Sequence, residues 1–445
     1  MRTVVTVAAC SLVMVLTVVC SGNRELPAAA MAAPIGPPIA QTLGMPWRLH
    51  PAAPRQKTPL RATNNAYTLL YAFAGTPDGA SPLSGLAVMN GTLYGTTLNG
   101  STNYCSMSCG GNDCYLGCGT VFSVSGKGAE NVIYDFKGNF NNAGDGAWPF
   151  ASLLAVGGTF YGTTGGGGGP GDHGTFFSVT PSGQERLLYS FQGGNDAGFP
   201  EASLVEMNGL LYGTSVTGGG SGCGGGGCGT VFSITPSGSE HVLYRFKGGN
   251  DGARVYAGVT PFHGKLYGAT LQGGGSGCGG GGCGTIYSID SAGKERVLYR
   301  FGGTTDGAFP NGLTPLHGTL YGTTEGGGSR SSGTFFSITR SGKLTTLYNF
   351  ADIPDGNLPG ANLIAVDGTF YSTTVGGGTQ GVGTVFSIAP SGTETVLYSF
   401  LGGNDGWDPQ APLVAKRHAL YGTTYRGGGT GCGGNGCGTI FRVRI

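Results

Sequence analysis

Apolar and polar residues alternate in short runs separated by tight turns, and the same succession of runs returns seven times. Ala202 to Phe246 shows one full succession. Ala202-Ser203-Leu204-Val205-Glu206-Met207 predicts a first strand, and the turn Asn208-Gly209 leads to a second, Leu210-Leu211-Tyr212-Gly213-Thr214. Asn-Gly between apolar runs is a strong hairpin signal because both residues tolerate positive φ. A glycine-rich loop follows, then a third strand, Gly229-Thr230-Val231-Phe232-Ser233-Ile234. The turn Pro236-Ser237-Gly238 delivers a fourth strand ending at Phe246, in which Val242, Tyr244 and Phe246 are expected on one face and Leu243 and Arg245 on the other.

The tyrosine of the second strand recurs at Tyr94, Tyr161, Tyr212, Tyr267, Tyr321, Tyr371 and Tyr421, at intervals of 67, 51, 55, 54, 50 and 50 residues. The glycine opening the third strand recurs at Gly119, Gly174, Gly229, Gly284, Gly333, Gly383 and Gly438. The phenylalanine ending the fourth recurs at Phe73, Phe136, Phe191, Phe246, Phe301, Phe350 and Phe400. Four short antiparallel strands per repeat, seven repeats and tight turns predict an all-β, seven-bladed β-propeller. The ends agree. The first repeat opens with a fourth strand alone (Tyr67 to Phe73), and the chain stops after a third strand (Gly438 to Ile445). Pairing these two completes the seventh blade from both ends and removes the worst exposed edge.

Composition changes this picture little. Glycine (92) and proline (23) are abundant, but they recur beside strand-like runs and so mark turns and close backbone contacts rather than disorder. Charged residues make up 11% and the net charge is +1, with no basic stripe of the kind nucleic-acid binding requires. Residues 1–33 form a separate segment: Arg2, an apolar run from Val4 to Val19, then small residues from Ala28 to Ala33. This order predicts a secretory signal peptide cleaved near Ala30 or Ala33, with an uncleaved anchor as its rival. Residues 34–65 hold Pro34, Pro37, Pro38, Pro46, Pro51, Pro54 and Pro59 and predict an extended linker, leaving 66–445 for the propeller. No other segment is long and apolar enough to span a bilayer.

Candidate chemistry gathers on the long connections. In a propeller, the loops joining strands 2 to 3 and 4 to 1 share one face, and the 1–2 and 3–4 turns share the other. The variable, glycine-rich segments all belong to the first face, so a ligand site is expected there. Cys223/Cys228, Cys278/Cys283 and Cys432/Cys437 stand in paired spacing on 2–3 loops, and Cys105, Cys109, Cys114 and Cys118 crowd the first such loop. With export, these read as disulfides, the first loop nested as Cys105 with Cys118 and Cys109 with Cys114. No metal site is expected, because the pairs lie on different blades. The 4–1 connections carry Asp78, Asp145, Asp196, Asp251, Asp306, Asp355 and Asp405. Each is expected to cap a turn through its side chain, with cation binding as the alternative. Trp148, Phe199, Phe309 and Trp407 lie on the same connections, where they would either stack on sugar rings or pack between blades. Glu201, Glu206, Glu325 and Asp172 are the carboxylates from which a glycoside-cleaving pair would be drawn. No nucleophile elbow, His-Glu-x-x-His or phosphate loop is present, and no cofactor is expected.

The strand order is similar to that of kelch repeats. Leu-Tyr-Gly-Thr-Thr (Leu93 to Thr97, Leu320 to Thr324, Leu420 to Thr424), Gly-Thr-Val-Phe-Ser-Ile and Gly-Gly-Asn-Asp-Gly (Gly248 to Gly252, Gly402 to Gly406) more closely resemble the choice-of-anchor tandem-repeat family called GloVer. The resemblance covers Tyr67 to Ile445 and implies an exported bacterial repeat protein without an established reaction to transfer; no sorting tail follows Ile445. The expected role is a secreted or cell-surface, monomeric, non-enzymatic module that binds a glycan or protein through its loop face. The alternative is an extracellular polysaccharide hydrolase or lyase with carboxylates at the central mouth.

Overall fold

The computed structural model describes residues 66–445 apart from 104, 110, 111, 116, 139–143 and 170, with backbone alone for 106–109 and 112–115. The segments read as signal and linker lie outside the described residues. Seven four-stranded antiparallel sheets follow one another in the order strand 1-2-3-4, giving an all-β, seven-bladed propeller. Blade 3 is representative: Val205–Met207, Leu210–Ser215, Thr230–Ile234 and Glu240–Arg245. Successive first strands touch one another and form the inner ring. Along it, Gly85 N–H donates to Ser152 Oγ at 2.9 Å and Ser152 N–H to Ser203 Oγ at 3.1 Å.

The seventh blade closes as its two ends predict. Tyr67–Ala72 pairs with Thr439–Arg444 as the outer strand of the sheet, in the register Tyr67 to Val443 and Ala72 to Thr439. Phe73 N–H then donates to Gly438 O at 3.0 Å. Phe73 is 2% exposed, and Tyr67 stacks on Tyr398 with centroids 4.0 Å apart.

Apolar side chains meet between blades rather than within them. The phenylalanine ending each fourth strand lies edge-on or steeply tilted to the aromatic ring of the next blade's third strand: Phe73 on Phe122, Phe191 on Phe232, Phe246 on Tyr287 and Phe400 on Phe441, all with centroids 5.0–5.2 Å apart. This third-strand ring also explains the glycine of the Leu-Tyr-Gly element. It lies flat across the neighbouring second strand, so that a Cβ on Gly162 would sit 2.6 Å from Phe177 Cζ. Six blades carry glycine there, which leaves room for that approach, and blade 6 accommodates Ser372 opposite Phe386.

The fourth strand departs from the alternation expected of it. The register slips between Val231 and Phe232, which face Tyr244 and Val242, leaving Leu243 as an extra residue. Such a bulge turns consecutive side chains toward the same side, and Leu243 and Tyr244 both pack against the cluster containing Val231 and Phe246. The same slip occurs in every blade.

Candidate functional site: the loop face and its axial mouth

Each 4–1 connection is built on the same frame. A second-strand Thr or Ser shares a hydrogen bond with the first threonine of the third strand in every blade, at 2.7–2.9 Å, as in Thr97 with Thr120 and Ser215 with Thr230. The fourth-strand tyrosine donates to the connection's aspartate in all seven blades: Tyr71 to Asp78, Tyr134 to Asp145, Tyr189 to Asp196, Tyr244 to Asp251, Tyr299 to Asp306, Tyr348 to Asp355 and Tyr398 to Asp405. The same carboxylates accept a backbone N–H four residues earlier, or eight in the case of Asp145, at 2.6–2.9 Å. Each aspartate therefore ties its turn to the blade it leaves. Among the described residues no group of three or more His, Cys, Asp or Glu is arranged to hold a metal ion.

A second carboxyl stands behind this clamp in five places. Glu130, Glu185, Glu240, Glu295 and Glu394 open their fourth strands, each with Oε1 buried and without a hydrogen-bond partner. Burial, and then the aspartate of the preceding connection, pushes them up to about 7, and Glu240 to about 8. Leu344 and Tyr67 occupy this position in the other two blades.

The disulfides brace the 2–3 loops. Cys105–Cys118, Cys223–Cys228, Cys278–Cys283 and Cys432–Cys437 are bonded, whereas the expected Cys109–Cys114 pair falls on side chains outside the described residues. Closing a ring of this size removes chain entropy worth about 2 kcal/mol. These bonds fit an oxidising, extracellular environment, and no helix of the described residues is long and apolar enough to cross a membrane. In blade 2 the position of Cys118, Cys228, Cys283 and Cys437 is taken by His173, whose Nδ1 is buried without a partner and whose pKa burial lowers. The histidine count alone gave no hint of this. The register of the repeat would have.

Beyond the clamp, each connection passes through one non-glycine residue at positive φ: Ser81, Trp148, Phe199, Arg254, Phe309, Leu358 and Asp408, with φ between 52° and 63°. Each donates its N–H to the carbonyl preceding the third-strand glycine, at 2.8–3.1 Å. The backbone is thus held constant while the side chain changes from blade to blade. Trp148 and Phe309 are partly buried against inter-blade clusters, and Phe199 lies edge-on to His173 at 5.7 Å. Trp407 stands one residue before this position; it is 4% exposed, with the Arg426 guanidinium 4.9 Å from its ring.

Of the four carboxylates considered for catalysis, two, Glu201 and Glu325, lie within reach of one tyrosine. Tyr256 lies within electrostatic reach of Glu201, Arg254 and Glu325, which come from blades 3, 4 and 5. Glu201 stands two residues before Ser203 of the inner ring, so the group sits at the axial mouth. Burial pushes Glu201 up to about 8 and Glu325 up to about 7. The Tyr256 hydroxyl is buried without a hydrogen-bond partner, and Arg254 Nε donates to Gln272 Oε1 at 3.0 Å. Glu206 lies on the opposite face, accepting from Gly209 N–H at 2.7 Å, and Asp172 accepts from Gly167 N–H inside the blade 2 loop. Arg254 and Tyr256 were missed by sequence reasoning. The signal was there: Arg254-Val255 replaces the X-Pro pair that every other blade carries.

A model of the Gloeobacter/Verrucomicrobia repeat matches residues 58–226 and 222–441. No curated protein matches in sequence. Among solved structures, the chain is similar to a luciferin-regenerating enzyme (13% identity, TM-score 0.40, covering 65% of this chain and 88% of that one). It is similar also to a puromycin hydrolase (12%, 0.46, 79% and 52%) and to a gluconolactonase from Xanthomonas campestris (13%, 0.39, 85% and 89%). Likenesses of this degree say nothing of what the chain does.

Proposed function

The chain belongs to the Gloeobacter/Verrucomicrobia repeat family, and from that premise we propose that it is an exported, non-enzymatic binding module that takes a glycan at the axial mouth of its loop face. One observation carries the reading. Seven connections of constant backbone present seven positive-φ residues of six different kinds, at positions where a non-glycine residue costs conformational energy. A frame kept rigid beneath a varied surface is how a recognition site is built on a repeat. The mouth adds Glu201, Arg254, Tyr256 and Glu325, and a neutral glutamic acid or tyrosine hydroxyl donates well to sugar hydroxyls.

The hydrolase reading would use the same two carboxylates. Glycoside cleavage needs one of the pair protonated and the other ionised, so their surroundings must push the two apart. Here burial raises both, which favours binding over turnover. A glycan array followed by product analysis tests this. Glu201→Gln, which keeps the shape and a donor, is expected to retain binding, and Glu201→Ala to weaken it at least about tenfold, the loss of one buried hydrogen bond to a polar ligand. Release of new reducing ends by the wild-type chain would overturn the non-enzymatic reading.

A further inference from the structure

The face opposite the mouth is made of 1–2 and 3–4 turns, and comparing the blades exposes one that departs. Six of the 1–2 turns place glycine second: Gly91, Gly158, Gly209, Gly264, Gly318 and Gly368, all with φ between 74° and 82°. Blade 7 has Arg417-His418 instead, with φ of 48° and 58°. Two consecutive side-chain-bearing residues at positive φ are strained, and such strain concentrates where it serves a ligand.

The same blade departs on its third strand. Arg442 stands where the other six carry serine, from Ser123 to Ser387, and Arg444 stands where they carry Ser, Thr, Asp or Ala. Lys416 precedes the strained turn. The five basic residues Lys416, Arg417, His418, Arg442 and Arg444 line one cavity of about 460 Å³ between blade 7 and Gly126 of blade 1. No aspartate or glutamate lines it. Ile445 does, and a carboxylate there would offset one of the charges. Lys416 Nζ donates to Gly91 O and Arg442 Nη2 to Thr68 Oγ1 at 3.0 Å, while Arg442 Nε is buried without a partner.

Six sibling blades form the same turn and strand without lysine or arginine at these positions, with a single histidine in two of the turns (His263 and His317), so the fold does not require this charge. Like charges gathered in one cavity repel each other, and an arginine fork matches the paired oxygens of a tetrahedral oxyanion. We propose that this cavity is a second binding site, distinct from the axial mouth, for a multiply charged phosphate or sulfate ester. The net positive charge asks for a dianion or more, and the volume admits a group larger than a single phosphate.

The test is calorimetric titration of the full chain with inorganic pyrophosphate at low salt, alongside flotation with vesicles of phosphatidic acid or of phosphatidylcholine alone. Heat with pyrophosphate indicates a free phosphate ester as the source, and binding only to the phosphatidic acid vesicles indicates a lipid headgroup. Arg417→Asn with Arg444→Thr, which installs residues that sibling blades carry, is expected to weaken binding at least tenfold with an unchanged melting temperature. His418→Gly is expected to weaken it while raising the melting temperature, because the turn is relieved. Lys343→Ala, on the same face in blade 5, is expected to change neither. The proposal falls if the wild type binds neither pyrophosphate nor phosphatidic acid vesicles, or if the double variant binds as tightly as wild type. Because Glu201→Gln leaves this cavity untouched, the outcome is independent of the glycan reading.

Discussion

Ring closure by the first strand makes a quantitative demand on Phe73. The side chain is 2% exposed and shares a cluster with Leu86, Leu93, Phe122 and Ile440, its ring 5.2 Å from those of both Phe122 and Tyr71. Truncating a phenylalanine so enclosed costs about 3–5 kcal/mol, the transfer term plus the cavity left behind. At about 2.1 cal/mol/K of unfolding entropy per residue, a loss of about 4 kcal/mol lowers the melting temperature of a ring of roughly 380 residues by about 5 °C. Phe246 is the internal control: it is also 2% exposed, and it meets Tyr287 in the same edge-on way but in the middle of the chain. Phe73→Ala and Phe246→Ala are therefore expected to destabilise by similar amounts in urea unfolding followed by circular dichroism with the disulfides intact. Were Phe73→Ala to stay within about 0.5 kcal/mol of wild type, the range of an ordinary surface change, while Phe246→Ala cost several, Tyr67–Ala72 would not be seated and the closure described here would be wrong.

Two further outcomes follow from the packing and the buried acids. Tyr287 occupies a fully buried position that holds phenylalanine in the other six blades, and its hydroxyl has no hydrogen-bond partner. Tyr287→Phe should raise stability by about 1 kcal/mol, the desolvation cost of an unmet hydroxyl; a lower melting temperature would show that the hydroxyl is satisfied after all. Glu130, Glu185, Glu240, Glu295 and Glu394 hold their protons more tightly in the folded ring, at about 7 to 8, than in the unfolded chain near 4.5. Between these values the native state binds more protons than the unfolded state, so stability falls as pH rises from about 5 to about 8. Melting scans across that window should decline for the wild type and decline less for Glu130→Gln, and a flat or rising wild-type profile would count against the buried-acid assignment.

The blade count, the strand order, the closing pair and the pairing of Cys223 with Cys228 were legible in the chain itself. Each rests on local chemistry, such as alternation over five or six residues, an Asn-Gly turn or two cysteines in one short loop, and the repeat then copies that local answer seven times. What the chain alone did not disclose depends on neighbours remote in sequence. The bulge at Leu243 sets Leu243 and Tyr244 together against a cluster that includes Leu266 and Tyr287 of the next blade. The second acid behind the aspartate clamp, such as Glu295 for Asp251, comes from the following blade. Glu201 and Glu325 are separated by 124 residues and come within reach of Tyr256 only because the ring sets blades 3, 4 and 5 side by side. Lys416 and Arg444 likewise become one basic cavity through the hairpin of blade 7 and the closure beside blade 1. Sequence periodicity settles what each blade is, since that is decided within a few residues. Only the closed circle decides which side chains of different blades face one another, because curvature and closure are properties of all seven interfaces together.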